Sequence, residues 1–247
     1  MENDESKFIS RSERRELERQ GNKMNNPSRA GQILRRILLW GGIFGGSALL
    51  IVGLAYFGSK SSSSNISGTP APISDSDWVK GNKDAKVTII EYSDFQCPAC
   101  GSAYPMMKKA VQEFGDKIRF AYRHFPLVQI HQNAELAAEA AEAAGVQGKF
   151  WEMHDRLFEK QSNWGTSKEA KKFFGQYAGE LELDKAKFES DLASDIVKQK
   201  VQNSRSEAAR INLGGTPSIF INGKIIDNPG SYDELKQLID DAIVKNP

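Results

Sequence analysis

Cys97 and Cys100 are the only cysteines of the chain, and they stand three positions apart. A structural disulfide stabilises more the longer the loop it closes, so a ring this small would staple little. A zinc site needs about four ligands, and there is no second cysteine pair to supply them. His124, His131 and His154 are the chain's three histidines, and they show no ligand spacing. No metal is therefore expected. What remains is redox chemistry, in which two thiols within bonding reach form and break a disulfide repeatedly. The C-x-x-C spacing also recurs by chance and in metal sites, so its surroundings must carry the reading.

Those surroundings are a strand and a helix. Residues 86–92, Lys-Val-Thr-Ile-Ile-Glu-Tyr, are β-branched and apolar, as in a buried strand. Pro98 suits the first turn of a helix. From 99 to 114, Ala103, Met106, Met107, Ala110, Val111 and Phe114 recur at helical spacing. Cys97 thus falls at a helix N-terminus, where unpaired N–H groups and the positive dipole end favour a thiolate. Cys100 lies one turn further in, where it is more buried.

Residues 117–125 alternate apolar and polar and read as a second strand, parallel to the first because a helix connects them. A helical region follows, with Ala137, Ala140, Ala141 and Ala144 on one face and Glu135, Glu139 and Glu142 opposite. Further helices are expected over 149–158, 168–180 and 184–211. Strand character returns at 217–221. The pair Asn222-Gly223 favours a tight hairpin into a return strand over 224–227. Ser231 with Glu234 three residues on marks the start of a last helix. The order β-α-β, helical block, β-β-α describes an α/β fold with one sheet and a large helical insertion at about 130–212.

The N-terminal third differs in kind. Residues 1–36 hold nine Lys/Arg against six Asp/Glu with few large apolar side chains. They are expected to be disordered, with at best a transient helix over 10–20. Residues 37–57 contain no charge and meet the ~20-residue length of a transmembrane helix. Arg29, Arg35 and Arg36 precede this run and Lys60 follows it, which places the N-terminus in the cytoplasm and the remainder outside. A cleaved signal is the competing reading, since Gly53-Leu54-Ala55 resembles a small-x-small site; the length favours an uncleaved signal-anchor. Gly41-Gly42 and Gly45-Gly46 would permit close helix pairing, although such spans are common without it. Residues 58–74, rich in Ser and Pro, are expected to form a flexible linker before a domain at 75–247. The net charge of +1 gives no sign of a nucleic-acid partner.

The ordered set of strand, Cys97-Pro98-Ala99-Cys100 at a helix start, helical insertion, Gly215-Thr216-Pro217 before a hairpin, and final helix resembles the DsbA-like thiol:disulfide oxidoreductases of thioredoxin fold. The stretch Gln147-Gly148-Lys149-Phe150-Trp151-Glu152-Met153-His154 is similar to one in that family's insertion. The resemblance implies Cys97 as nucleophile and Cys100 as resolving thiol. It implies Thr216-Pro217 as a cis-proline loop offering backbone to substrate. It also places an acid at Glu91, six residues before Cys97, where burial should raise the pKa and permit proton exchange with Cys100 through water. The bland alternative is a strand-end glutamate reaching solvent. The active-site dipeptide Pro98-Ala99 departs from the family, whose second residue is often histidine, and Ala99 offers the thiolate no donor.

The expected activity is exchange of disulfides with cysteine-containing exported proteins, without a cofactor, most simply as a dithiol oxidase that a membrane redox partner reoxidises. Three alternatives stay open: a reductase or isomerase on the same fold, a non-catalytic peptide-binding module, and a cytosolic redox protein whose apolar run is misread. Asp94 and Gln96 either face the substrate groove or are solvated loop residues.

Overall fold

The computed structural model describes residues 11–24 and 68–246. The chain forms two units, Met1–Ser62 and Ser63–Pro247. The described part of the first is one helix, α1 (Arg11–Met24), which overlaps the helix allowed for over 10–20 and runs a turn further. Its sequence is rich in Arg and Glu, both good helix formers, with Arg14 and Glu18 spaced four apart. Residues 12–19 are exposed. The anchor expected at 37–57 lies outside the described residues. No helix among the described residues is long and apolar enough to cross a membrane.

The second unit is built on a five-stranded sheet in the order β1-β3-β2-β4-β5. Its strands are β1 (Trp78–Gly81), β2 (Val87–Ser93), β3 (Ile118–His124), β4 (Ser218–Ile221) and β5 (Lys224–Ile225). β2 and β3 are parallel, as the helical crossover α2 (Pro98–Phe114) requires, and pair Glu91 with Tyr122 and Ser93 with His124. β4 runs antiparallel to β2, and β5 antiparallel to β4. Asn222 and Gly223 both take positive φ, 49° and 76°, the backbone that a two-residue hairpin demands.

The helical block comprises α3 (Ala134–Val146), α4 (Phe150–Glu159), α5 (Gln161–Trp164), α6 (Ala170–Glu180), α7 (Lys185–Ala193) and α8 (Asp195–Arg210). The stretch expected as one helix over 184–211 is two, because the Ser194 side chain accepts from Val197 N and caps a new start. The chain closes with α9 (Tyr232–Lys245), capped by Ser231 as its spacing indicated.

One face of the sheet, through Ile89, Phe120 and Tyr122, packs on α2, α9 and the helical block in the larger core. The other face, through Ile90, Tyr92 and Phe220, packs on Ile211 and Leu213. At ~25 cal/mol per Å² of apolar surface, each fully buried large side chain in these layers stabilises by about 2 kcal/mol.

Three expectations need correcting. Strand β1 was not legible: four residues give no usable period, and long-range contacts hold it. Trp78 stacks on Phe150 at 4.5 Å between centroids and donates from Nε1 to Glu142 Oε1 at 2.8 Å. Glu142, expected on a solvent face, is buried and also binds His124 Nε2 and Lys200 Nζ, each at 2.8 Å. Residues 68–74, assigned to the flexible linker, are fastened in their described part. Arg123 donates from Nη2 to Pro72 O, and Ala71 N donates to Glu207 Oε1. Arg123 in turn bridges Asp77 and Glu207. A buried guanidinium with five donors must be surrounded by acceptors, and this segment supplies some of them.

Candidate active site

The redox pair sits where β2 ends and α2 begins. Cys97 is the N-cap of α2, with extended backbone (φ −67°, ψ 123°), and Pro98 occupies the first helical position, where a missing N–H costs nothing. Pro98 and Ala99 are exposed, while Cys100 is fully buried against the sheet. Both cysteines are free thiols. The Thr216–Pro217 bond is cis, and Cys97 Sγ lies 3.5 Å from Thr216 O. Ser218 Oγ donates to Gly215 O, and Asn228 Nδ2 donates to Pro217 O, which fixes this loop beside the sulfur.

The two sulfurs are made electrostatically unequal. The Cys100 thiol donating toward Cys97 does most to hold the Cys97 pKa down, to about 5, against the opposing effect of burial. The Cys100 and Ala99 backbone N–H groups and the Thr216 side chain act in the same direction. Cys100 moves the other way: burial pushes its thiol up, and the neighbouring negative sulfur adds to that. One thiol is thus ionised at neutral pH while the other keeps its proton. The Thr216 hydroxyl is buried without a hydrogen-bond partner, which leaves it available to a sulfur.

Glu91 does not reach solvent at the strand end. It is 3% exposed, and burial raises its pKa from 4.5 to about 7, with Ser93 pulling weakly the other way. A cavity of about 180 Å³ extends from Glu91 along Tyr104, Phe120, Trp151 and Phe158 to Lys80 and Lys108. The expected residues Cys97, Pro98, Ala99, Cys100, Thr216 and Pro217 therefore form one site, with Glu91 in the strand behind it.

Asp94 and Gln96 are not free solvated loop residues: both are held by hydrogen bonds. Asp94 accepts from Gln96 N, Leu127 N and His131 Nδ1, between 2.7 and 2.9 Å. Gln96 accepts from Asn133 N at 2.6 Å and donates to Gly165 O at 2.6 Å. Gln161 donates from one Nε2 to Phe95 O at 2.7 Å and Cys97 O at 2.9 Å. A Cβ at Gly101 would come within 2.6 Å of Gln161 Oε1, so the glycine leaves room for this clamp. Gln161, Asn133 and Gly165 carried no signal in the sequence. They are two ordinary amides and a glycine, 37 to 69 positions from the loop residues they bind, and only the fold assembles them. Phe95 and Tyr104 wall the core: Phe95 stacks on Tyr122 at 5.1 Å and Tyr104 on Phe158 at 5.2 Å.

The thioredoxin family profile matches residues 74–241. BdbD from Bacillus subtilis, in its oxidised crystal structure, is 27% identical, with a TM-score of 0.63 over 72% of this chain and 98% of that one. A thioredoxin-like oxidoreductase from Silicibacter pomeroyi is 26% identical, with a TM-score of 0.58 over 68% and 93%. Among curated proteins, the Na(+)/H(+) antiporter NhaA 1 of Salinispora arenicola is 41% identical over 159 residues, 64% of this chain and 23% of that protein. The chain spans about a quarter of the length of the curated relatives it matches. The antiporter name belongs to those longer proteins. An unequal thiol pair at a helix start, a cis-proline beside it and a matching profile across the whole domain lead to one conclusion: the chain belongs to the thioredoxin family and is a DsbA-like protein disulfide oxidoreductase.

Proposed function

We propose that the protein is an extracytoplasmic dithiol oxidase, held at the membrane by residues 37–57, that inserts disulfides into cysteine-containing exported proteins. The observation that carries the direction is the depressed pKa of Cys97. Stabilising the reduced thiolate makes the corresponding disulfide a stronger oxidant.

In the oxidised enzyme a substrate thiolate attacks Cys97 Sγ. The Cys97–Cys100 bond breaks, and Cys100 leaves with the electron pair and takes a proton, for which Glu91, a buried acid held partly protonated near neutrality, is the donor. A second substrate thiolate then attacks the substrate sulfur of the mixed disulfide and releases Cys97 as a thiolate. The substrate gains a disulfide and the enzyme holds two thiols, which a membrane redox partner would reoxidise. Thr216 and Pro217 lie beside the sulfur and offer backbone to an extended substrate segment. Electrons pass only between sulfurs, so no cofactor enters. The uncharged run at 37–57 and the flanking arginines support the placement.

The reductase or isomerase reading is favoured by one feature, the methyl side chain of Ala99, which gives the thiolate no donor. Equilibrating the intact chain with glutathione buffers separates the two. An oxidase is expected to have a potential well above that of the glutathione pool and to oxidise a reduced, unfolded protein rapidly, and a value near or below thioredoxin's, about −270 mV, assigns the protein to the alternative. A Cys97→Ser chain that kept full biological activity would instead indicate a peptide-binding module.

A further inference from the structure

We propose that the Ser93 hydroxyl is the relay that passes a proton between Glu91 and Cys100. This inference rests on the reading of Glu91 as the proton source for the leaving thiolate. Alternate residues of a strand point to one face, so Glu91 and Ser93 share a side of β2, with Ser93 nearer the thiols. The register sets Tyr122 of β3 opposite Glu91, and Cys100 of α2 packs on that same face. Ser93 is fully buried, and its backbone is fixed by Phe125 N donating to Ser93 O at 2.8 Å. Its hydroxyl is buried without a hydrogen-bond partner, and the electrostatics of Glu91, Cys100 and Tyr122 all respond to it.

Buried hydroxyls are almost always hydrogen-bonded, so a side chain left unpaired between an acid and a thiol needs a reason. Relay supplies one. A hydroxyl both donates and accepts, and it rotates freely between neighbours when neither holds it. When the Cys97–Cys100 bond opens, the Cys100 thiolate takes the Ser93 proton as Ser93 takes the Glu91 proton. The products are a Cys100 thiol, an intact Ser93 hydroxyl and a Glu91 carboxylate; the mixed disulfide stays on Cys97. Closure runs the same steps backwards. The Tyr122 hydroxyl, also unpaired, borders this path, and Tyr122 feels the charge of both Glu91 and Cys100.

The test mixes the oxidised intact chain with reduced glutathione at pH 7, quenches with acid and counts Cys97–glutathione adducts by mass, in H2O and D2O. Ser93→Ala should slow adduct formation at least tenfold and abolish the solvent isotope effect, while Ser93→Thr, which keeps the hydroxyl, should stay within twofold of the natural chain. Proton transfer by a positioned group typically contributes 10²- to 10⁴-fold, so a tenfold loss is a modest demand. Glu91→Gln should slow the reaction comparably. If Glu91→Gln slows the reaction and Ser93→Ala does not, the relay is overturned and the role of Glu91 survives. If Glu91→Gln leaves the rate unchanged, the proton source is wrong and the relay falls with it. Equal slowing by Ala and Thr with a lowered Tm would be packing damage, and would also overturn the proposal.

Discussion

Replacing Glu91 by glutamine should make the protein more stable, but only above mild acidity. Burial has displaced this carboxyl from 4.5 to about 7. Between those values the folded chain holds a proton that the unfolded chain has released. Native stability contributed by this group therefore falls as pH rises from about 4.5 to about 7, then levels off. A displacement of that size corresponds to about 3 kcal/mol, taken as an upper bound because the buried site relaxes when it charges. Glutamine has nearly the same shape and no charge to bury. The difference between variant and natural chain should thus be near zero at pH 4 and reach roughly 2–3 kcal/mol in the variant's favour by pH 8. Urea denaturation of both chains, kept oxidised so that the cysteines do not titrate, measures it directly. A difference flat to within about 0.5 kcal/mol from pH 4 to pH 8 would refute the claim that Glu91 is a desolvated acid.

Three more outcomes follow from the site. Absorbance of the reduced chain at 240 nm, which reports thiolate, should titrate with a midpoint near 5 and an amplitude of one sulfur, with Cys100 silent into the alkaline range; a midpoint near that of free cysteine would remove the activated nucleophile. Thr216→Val deletes a hydroxyl that faces the sulfurs and is expected to raise the Cys97 midpoint by about one pH unit, the equivalent of one hydrogen bond, and to lower the reduction potential in step. Glu142→Ala strands Lys200, His124 and the Trp78 indole, and its cost of about 3–5 kcal/mol should appear as a lower midpoint in urea with the Cys97 titration unmoved.

The parts of the fold that could be read in advance are those where local rules act alone. An apolar run marked β2, apolar–polar alternation marked β3, Asn222-Gly223 marked the hairpin, and Ser231 with Glu234 marked the start of α9. The chemistry was legible for the same reason, since the two sulfurs, Pro98 and the helix that follows are contiguous. What escaped is whatever needs the third dimension. Strand β1 exists because Trp78 reaches Phe150, 72 residues away, and Glu142 is buried because three donors converge on it from separate elements. Residues 68–74 read as linker from their Ser and Pro content, and no local pattern announces that Arg123 and Glu207 will hold them.

The amide of Gln161 gives the helical block a standing that its position in the chain conceals. Two carbonyls of the catalytic loop, those of Phe95 and Cys97, both accept from this one side chain, and Gln96 takes its own donor from Asn133. Trimming the block to reach a minimal redox domain would strip the loop of partners on one whole side. The block is a buttress for the nucleophile, and transplanting one from a relative would retune the thiol that leans on it.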